Sequence, residues 1–401
     1  MTRPAAVMAM AAVFGLAMAC FPGAAAGQTV KVGVTLTYSG SDAALGEQID
    51  NGIKLYEKLH KQELPKGVAI ELIRRDDTGP NPDVAKRLAQ ELLLRDQVQI
   101  LTGGQWTPNA MAVGALSKEA KVPFVVMTAG GSAVTQASPY IIRVGWTLWQ
   151  SSYPLGQWAA KHGIKRVYTV VSEFAPGIDA EQAFIKGFTD NGGQIIGTVR
   201  VPLATTDYLP FLQKVKDAAP DAVFHFNPGG PQATAFMKAF ADIGIAGSKI
   251  KIIGTCDITS DDQLASMGRA ALGVVTMCHY SAAATRPANK EFVAEWKKAY
   301  GPDAIPTYFG LSGWDGMKVV YDAVIAQNGK IDPDRTIEIM RHWSNPNSPR
   351  GPIHIDPETR SVVQTEYLRR VEEVGGKLVN VEFDNVGQIA DTGQAAKKAS
   401  P

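Results

Sequence analysis

The sequence predicts two doubly wound α/β lobes, each a parallel sheet covered by helices on both faces. Three observations lead there. Short stretches with strand spacing alternate with stretches of helical spacing, and this rhythm runs through the chain twice. The composition, 45% apolar and 20% charged, is that of a folded globular chain. The length of 401 residues accommodates two compact units. The 40 basic and 39 acidic residues leave a net charge of +1, so nothing in the balance favours nucleic acid or an anionic membrane. Beyond the first segment, no stretch reaches the roughly 18 uninterrupted apolar residues of a spanning helix.

Residues 1–27 read as a signal peptide. Arg3 supplies the positive end, residues 5–19 form an apolar run broken only by Gly15, and Ala24, Ala25 and Ala26 offer a cleavage site before Gly27 or Gln28. Cys20 raises lipid anchoring as a second route, but Ala17 stands where such a signal carries Leu. Either route exports the chain. The mature protein then keeps Cys256 and Cys278. An oxidising compartment permits a bond between them. Nothing in their spacing brings the two side chains within bonding distance, and two buried thiols are the expectation.

The elements follow in order. Val30, Val32, Val34 and Leu36 alternate with other residues, which predicts a strand, and Ile49, Ile53, Tyr56 and Leu59 fall at helical spacing. Residues 69–74 are a second strand. Pro82 opens a helix through Leu94, with Asp83 in its first turn, where negative charge suits the helix dipole. After a strand at 97–101, Thr107 is the expected N-cap before Pro108 of a helix to about Ala120. A strand at 122–127 follows. The rhythm restarts with strands at 167–171, 194–201, 222–226, 250–253 and 272–278, with helices at 179–190, 208–218 and 232–243. Helices at 289–300 and 308–327 come next. From Ile353 onward the pattern is β-hairpin, with Gly375-Gly376 as the turn between 367–374 and 378–383. The small, polar residues after Gly387 are expected to fray.

The chemistry of an enzyme is missing. None of His60, His162, His225, His279, His342 and His354 pairs with another at ligand spacing, and there is no His-Glu-x-x-His. Gly310-Leu311-Ser312-Gly313-Trp314 ends in Trp where a nucleophile elbow needs Gly, and it lies in a helical pattern. No phosphate loop occurs, and no Gly-x-Gly-x-x-Gly follows the first strand. Asp76-Asp77 and Asp261-Asp262 do not match a calcium loop and are expected to be solvated surface charge. Neither a cofactor nor a metal is expected.

What the chain does have is a set of loops at the carboxyl ends of strands, where open α/β sheets bind ligands. Residues 37–41 hold Tyr38, 103–107 hold Trp106 and Thr107, and 128–132 hold Thr128, Ala129 and Gly130. Residues 173–177 hold Phe174, 227–230 carry Gly229-Gly230, and 255–257 hold Asp257. Hydroxyls and free N–H groups at helix N-termini bind a carboxylate without a cation. Single aromatics supply the walls of a small-molecule pocket.

In order and spacing, VKVGVTLTYSGSDAALGEQIDNGIKL at 30–55, VPFVVMTAGGSAVT at 122–135, EFAPGIDAEQAF at 173–184, PANKEFVAEWKKAYG at 287–301 and the stretch 348–383 resemble one family. It is the branched-chain amino acid-type, leucine-binding-like solute-binding proteins of bacterial ABC transporters. The resemblance implies a type I periplasmic-binding fold whose lobes join through three crossovers, near Arg143-Gly145, His279-Ser281 and Ile353-Asp356. The first lobe would then comprise 28–144 and 281–353, the second 145–280 and 354–386, with a flexible tail at 387–401. It implies capture of a small carboxylate in the cleft, hinge closure, delivery to a membrane permease, a monomer, and no covalent chemistry. Carried over residue by residue, Thr107 would bind the ligand carboxylate, the loop at 128–132 would add backbone and hydroxyl contacts, and Tyr38 and Phe174 would line the cleft. The acidic residue that holds an amino acid's ammonium falls at Cys256 or Asp257. Gly130 stands where amino-acid binders tend to have Thr, and Gly229-Gly230 where some carry tyrosines. These departures tilt the expected ligand toward an aromatic or related organic acid, ahead of a branched-chain amino acid. A freestanding periplasmic sensor for a membrane signalling protein is the alternative.

Overall fold

The computed structural model describes residues 27–394. Residues 1–26 of the expected signal peptide, Cys20 among them, and residues 395–401 lie outside the described residues.

The first lobe is built on β1 (Gln28–Leu36), α1 (Ala43–His60), β2 (Val68–Asp76), α2 (Pro82–Gln90), β3 (Ile100–Gly103), α3 (Thr107–Ala120), β4 (Phe124–Val126) and β5 (Ile141–Arg143). Its five strands are parallel in the order β2-β1-β3-β4-β5. The second lobe carries α4 (Leu148–Lys161), β6 (Arg166–Ser172), α5 (Ala175–Thr189), β7 (Gln194–Val201), α6 (Leu209–Ala218), β8 (Ala222–Phe226), α7 (Pro231–Asp242), β9 (Lys251–Thr255), α8 (Leu264–Met267) and β10 (Val275–Cys278). The chain then returns to the first lobe as α9 (Pro287–Tyr300), α10 (Tyr308–Ala326) and α11 (Pro333–Arg341), and finishes with β11 (Ser344–Asn345), β12 (Ile353–Ile355), β13 (Val362–Val374) and β14 (Lys377–Ile389). The second sheet runs β11-β12-β13-β10-β9-β8-β6-β7, with β14 paired to β13. Its β6 to β10 strands are parallel and the later ones antiparallel.

The apolar alternation of β1 becomes a core because α1 and α10 cover one face of the first sheet, with α9 packed on them. Val30, Val32, Val34 and Leu36 pack there with Leu311, Val319, Val320, Phe292 and Trp296. The third passage between lobes is a composite. β12 and β13 are hydrogen-bonded in the second sheet, yet the side chains of Ile353, Ile355 and Val362 join the first lobe's core. Among the described residues no helix is long and apolar enough to cross a membrane.

Several local expectations are corrected. α4 escapes the periodicity because much of it is buried and Pro154 interrupts it. Its start is nevertheless marked by a reciprocal capping box, Thr147 with Gln150. α4 and α5 touch at two glycines, where a Cβ on Gly156 would meet the Phe184 carbonyl and one on Gly187 the Tyr153 carbonyl. The helix after Pro82 passes into a π-helical turn at Glu91–Arg95. Thr107 is not an N-cap; it is the first residue of α3, and Trp106 precedes it without a side-chain cap.

Cys256 and Cys278 form a disulfide with a Cα–Cα distance of 4.9 Å. The expected free thiols gave way because β9 and β10 are parallel neighbours with Thr255 opposite Met277, so the residues that follow stand side by side. Asp77 and Asp261 are buried, not solvated. Asp77 accepts from Thr37 and Asn109, and Asp261 from Asn380 beside Arg369. Nor is the segment after Gly387 frayed where it is described: β14 runs through Ile389 and Asp391 is buried.

Candidate functional site

A cavity lies between the two lobes. The first lobe contributes the loop after β3. Gly103 adopts φ +102° there, and a Cβ on it would run into the Thr35 carbonyl, so the turn requires glycine. The next residues, Gln105, Trp106 and Thr107, all face the cavity. A buried chain of hydrogen bonds fixes the Trp106 ring: its Nε1 donates to Thr37 Oγ1 at 2.9 Å, which donates to Asp77 Oδ1 at 2.6 Å. Asn109 Nδ2 donates to the other Asp77 oxygen at 2.9 Å. Burial holds the Asp77 carboxyl above the usual range despite these donors. Its work is to hold Trp106.

Gln105 Oε1 accepts the Thr37 N–H at 3.2 Å, which sets the amide's orientation and leaves Nε2 buried without a hydrogen-bond partner among the described residues. Thr107 Oγ1 accepts the Gly131 N–H at 3.1 Å. A hydroxyl that accepts there still has its own proton to donate. Thr128 donates to the Gln105 carbonyl at 3.3 Å. Gly130 touches the cavity directly, and a Cβ on it would strike the Leu148 side chain.

The opposite wall comes from the second lobe. Phe174 and Phe226 stack at 6.1 Å between centroids, with Pro176 and Pro228 beside them. Asp257 is buried at the end of β9, where it accepts from Thr255 Oγ1 at 2.6 Å and Tyr308 OH at 3.1 Å. Burial pushes its carboxyl up to about 6, opposed by those hydroxyl donors. Trp146, from the first crossover, and Phe309, at the start of α10, complete the aromatic lining and meet edge to face at 5.6 Å. Among the described residues lining the cavity, Asp257 is the one acidic side chain, and none is Lys or Arg.

The fold therefore brings Trp106, Thr107, Thr128, Gly130, Phe174 and Asp257 together around one space. It keeps Tyr38 and Ala129 out of the lining. The Tyr38 N–H is held by Asp76 at 2.9 Å, and the ring packs on the first lobe's core facing Asp50 and Arg74, where burial raises the phenol. Ala129 sits in a core cluster behind the loop, its carbonyl accepting from Arg143 at 3.2 Å. Sequence reasoning missed Gln105, Trp146, Phe226 and Phe309. The first and third lie in or beside loops already singled out. Trp146 and Phe309 come from a crossover and a helix start, which carry no strand-end signal.

The arrangement suits a small flat acid, with neutral donors at one end, aromatic faces at the sides and a hydrogen-bonding carboxyl at the other end. Comparison with known proteins agrees with this architecture. A solute-binding protein of an ABC transporter from Rhodopseudomonas palustris BisB5, in complex with 3,4-dihydroxybenzoic acid, is 48% identical, with 92% of this chain and 99% of that one aligned at a TM-score of 0.88. One from Rhodopseudomonas palustris HaA2, in complex with p-hydroxybenzoic acid, is 40% identical, with 92% and 100% aligned at a TM-score of 0.88. A Leu/Ile/Val-binding protein homolog 6 from Brucella melitensis biotype 1 is 39% identical over 96% of this chain and 98% of its own length. The model of the periplasmic binding protein family matches residues 29–377. The chain belongs to the periplasmic binding proteins, as a solute-binding protein of the ABC-transporter type.

Proposed function

We propose that this protein captures a hydroxylated aromatic carboxylate in the interlobe cavity and delivers it, chemically unchanged, to a membrane permease from the periplasm. One observation carries the reading: an aromatic-walled cavity offers neutral donors on one lobe and a lone carboxyl on the other. The ligand's carboxylate is received by Thr107, Thr128, Gln105 Nε2 and the Gly130 backbone. Its ring lies among Trp106, Trp146, Phe174 and Phe226. Its hydroxyl reaches Asp257. A ligand that bridges both walls stabilises the closed state over the open one, and a permease can read that difference. The bound hydroxybenzoates of the two Rhodopseudomonas relatives support the ligand class. The Brucella homologue's name and the presence of Asp257 favour a second reading, a branched-chain amino acid whose ammonium meets that carboxylate.

A thermal-shift and calorimetry panel separates the two, using 3,4-dihydroxybenzoate, 4-hydroxybenzoate, benzoate, leucine and isoleucine. A ligand at 100 times its Kd adds about 2.7 kcal/mol to stability. The proposal expects the hydroxybenzoates to bind more tightly than benzoate, with no response to the amino acids. A response to leucine alone replaces it with the second reading. Loss of labelled hydroxybenzoate uptake when the gene is deleted tests delivery.

A further inference from the structure

The segment 389–394 leaves the second lobe's sheet and is pinned between the first lobe and the start of α4. Asp391 carries the attachment. Its side chain is fully buried, and its Oδ2 pairs with Arg143 Nη2 at 3.0 Å. Its Oδ1 accepts from Gly393 N at 2.9 Å, Ser132 Oγ at 3.2 Å and Thr147 Oγ1 at 3.3 Å. Two flanking side-chain bonds seat the segment: Gln150 Nε2 donates to the Ile389 carbonyl and Gln394 Nε2 to Thr135 Oγ1, both at 2.8 Å. Gly393 packs so closely on Ser132 and Trp149 that a Cβ there would clash with both.

Arg143 is the link to the cavity. The guanidinium half that does not hold Asp391 donates from Nη1 to the carbonyls of Ala129 at 3.2 Å and Gly131 at 2.6 Å. Both carbonyls belong to the loop whose Gly130 borders the cavity. In a trans peptide the N–H points opposite to the C=O. Turning the Ala129 carbonyl toward Arg143 therefore turns the Gly130 N–H away from it.

We infer that the 389–394 segment is a positioning strap for the ligand loop: Asp391 orients the buried Arg143, and Arg143 holds residues 129–131 so that the Gly130 N–H is presented to the ligand's acid group. Asp391 touches no ligand, and its effect passes through Arg143 and Ser132. The ligand part of this inference rests on the proposed function above; the loop geometry does not.

The test uses the full mature chain as wild type, Asp391→Asn and Ser132→Ala, read in two ways. The first is hydrogen–deuterium exchange without ligand. Asp391→Asn should speed exchange at residues 129–132 by about tenfold or more, the scale of a lost charged hydrogen bond, while β8 and β9 keep wild-type protection. The second is Kd for 4-hydroxybenzoate, which should rise by a similar factor. Ser132→Ala keeps the ion pair and should show the same pattern at about threefold, so the strap stays testable if Asp391→Asn does not fold. Wild-type exchange in the loop, or acceleration spread evenly over the protein, overturns the strap. So does a lowered Tm with unchanged Kd. If the wild type binds leucine and not 4-hydroxybenzoate, the ligand reading fails while the exchange result still decides the strap, and leucine then serves for Kd.

Discussion

The two walls of the cavity solve different problems. The first lobe presents hydroxyls and amides and no charge, from the loops at 105–107 and 128–130. The second presents the Phe174–Phe226 stack and one buried carboxyl, Asp257. The first wall is anchored by its own neighbours, through Asp77 behind Trp106 and Thr107 bonded to Gly131. The Asp257 carboxyl is completed by the other lobe, through the Tyr308 hydroxyl. The two walls are thus held differently, the first by bonds within its own lobe and the second in part by a hydroxyl from the other lobe; under the proposed function the first receives the ligand's acid end and the second its far end.

The contrast is broken most severely at Asp257. Burial raises its carboxyl from 3.8 to about 6, so the unfolded chain gives up this proton at lower pH than the folded one. Stability from this group is present below about pH 4 and is lost as pH rises through about 6, in total about 3 kcal/mol. Asp257→Asn removes that loss. Urea unfolding without ligand should show the variant gaining on wild type by about 2 kcal/mol between pH 4 and pH 7. An unchanged gap would mean that the second wall carries no strained carboxyl. In the same variant, 4-hydroxybenzoate should bind about 30-fold more weakly at pH 7 while benzoate is little affected, the mark of a lost bond to a charged acceptor. Equal loss for both ligands would show that Asp257 does not read the far end.

The first wall should answer differently. Thr107→Val keeps the shape and removes the hydroxyl. It should weaken benzoate and 4-hydroxybenzoate alike, by about tenfold in calorimetry. Selectivity between them should stay put, and a shift in the ratio would undo the division of labour. Phe174→Ala should cost about tenfold or less for either ligand, since the partly buried ring stacks on Phe226 and can be partly replaced by it. The smallest effect belongs to Tyr38→Phe. Its ring is turned from the cavity, so affinity should change by less than about twofold, and a larger change would return Tyr38 to the site.

Much of this is legible in the sequence. The period of β1 and the restart of the strand–helix rhythm at Val167 fixed the lobes, because alternation is a local property and survives in one dimension. The strand-end loops that carry Trp106, Thr107, Thr128, Gly130, Phe174 and Asp257 are legible for the same reason, whereas the ligand roles of Thr107, Phe174 and Asp257 within them follow from the family resemblance. Tyr38 sits in an equally suitable loop and still misses, because the Asp76–Tyr38 backbone bond turns its ring toward Asp50 and Arg74. Asp77 reads as surface charge in the sequence because an acidic pair gives no sign that side-chain donors, Thr37 and Asn109, await one of its members inside the fold.

Local spacing sets the lobes, the order of most elements and the strand-end loops, since each depends on residues within a turn or two of one another. Tertiary structure decided the rest. It chose which loop side chains face the cleft, brought Trp146 and Phe309 to complete it, set Cys256 beside Cys278 across parallel strands, and drew Asp391 from the far end of the chain onto Arg143. Those outcomes depend on contacts between residues tens to hundreds of positions apart, where burial and hydrogen-bond satisfaction, and not local spacing, select the arrangement.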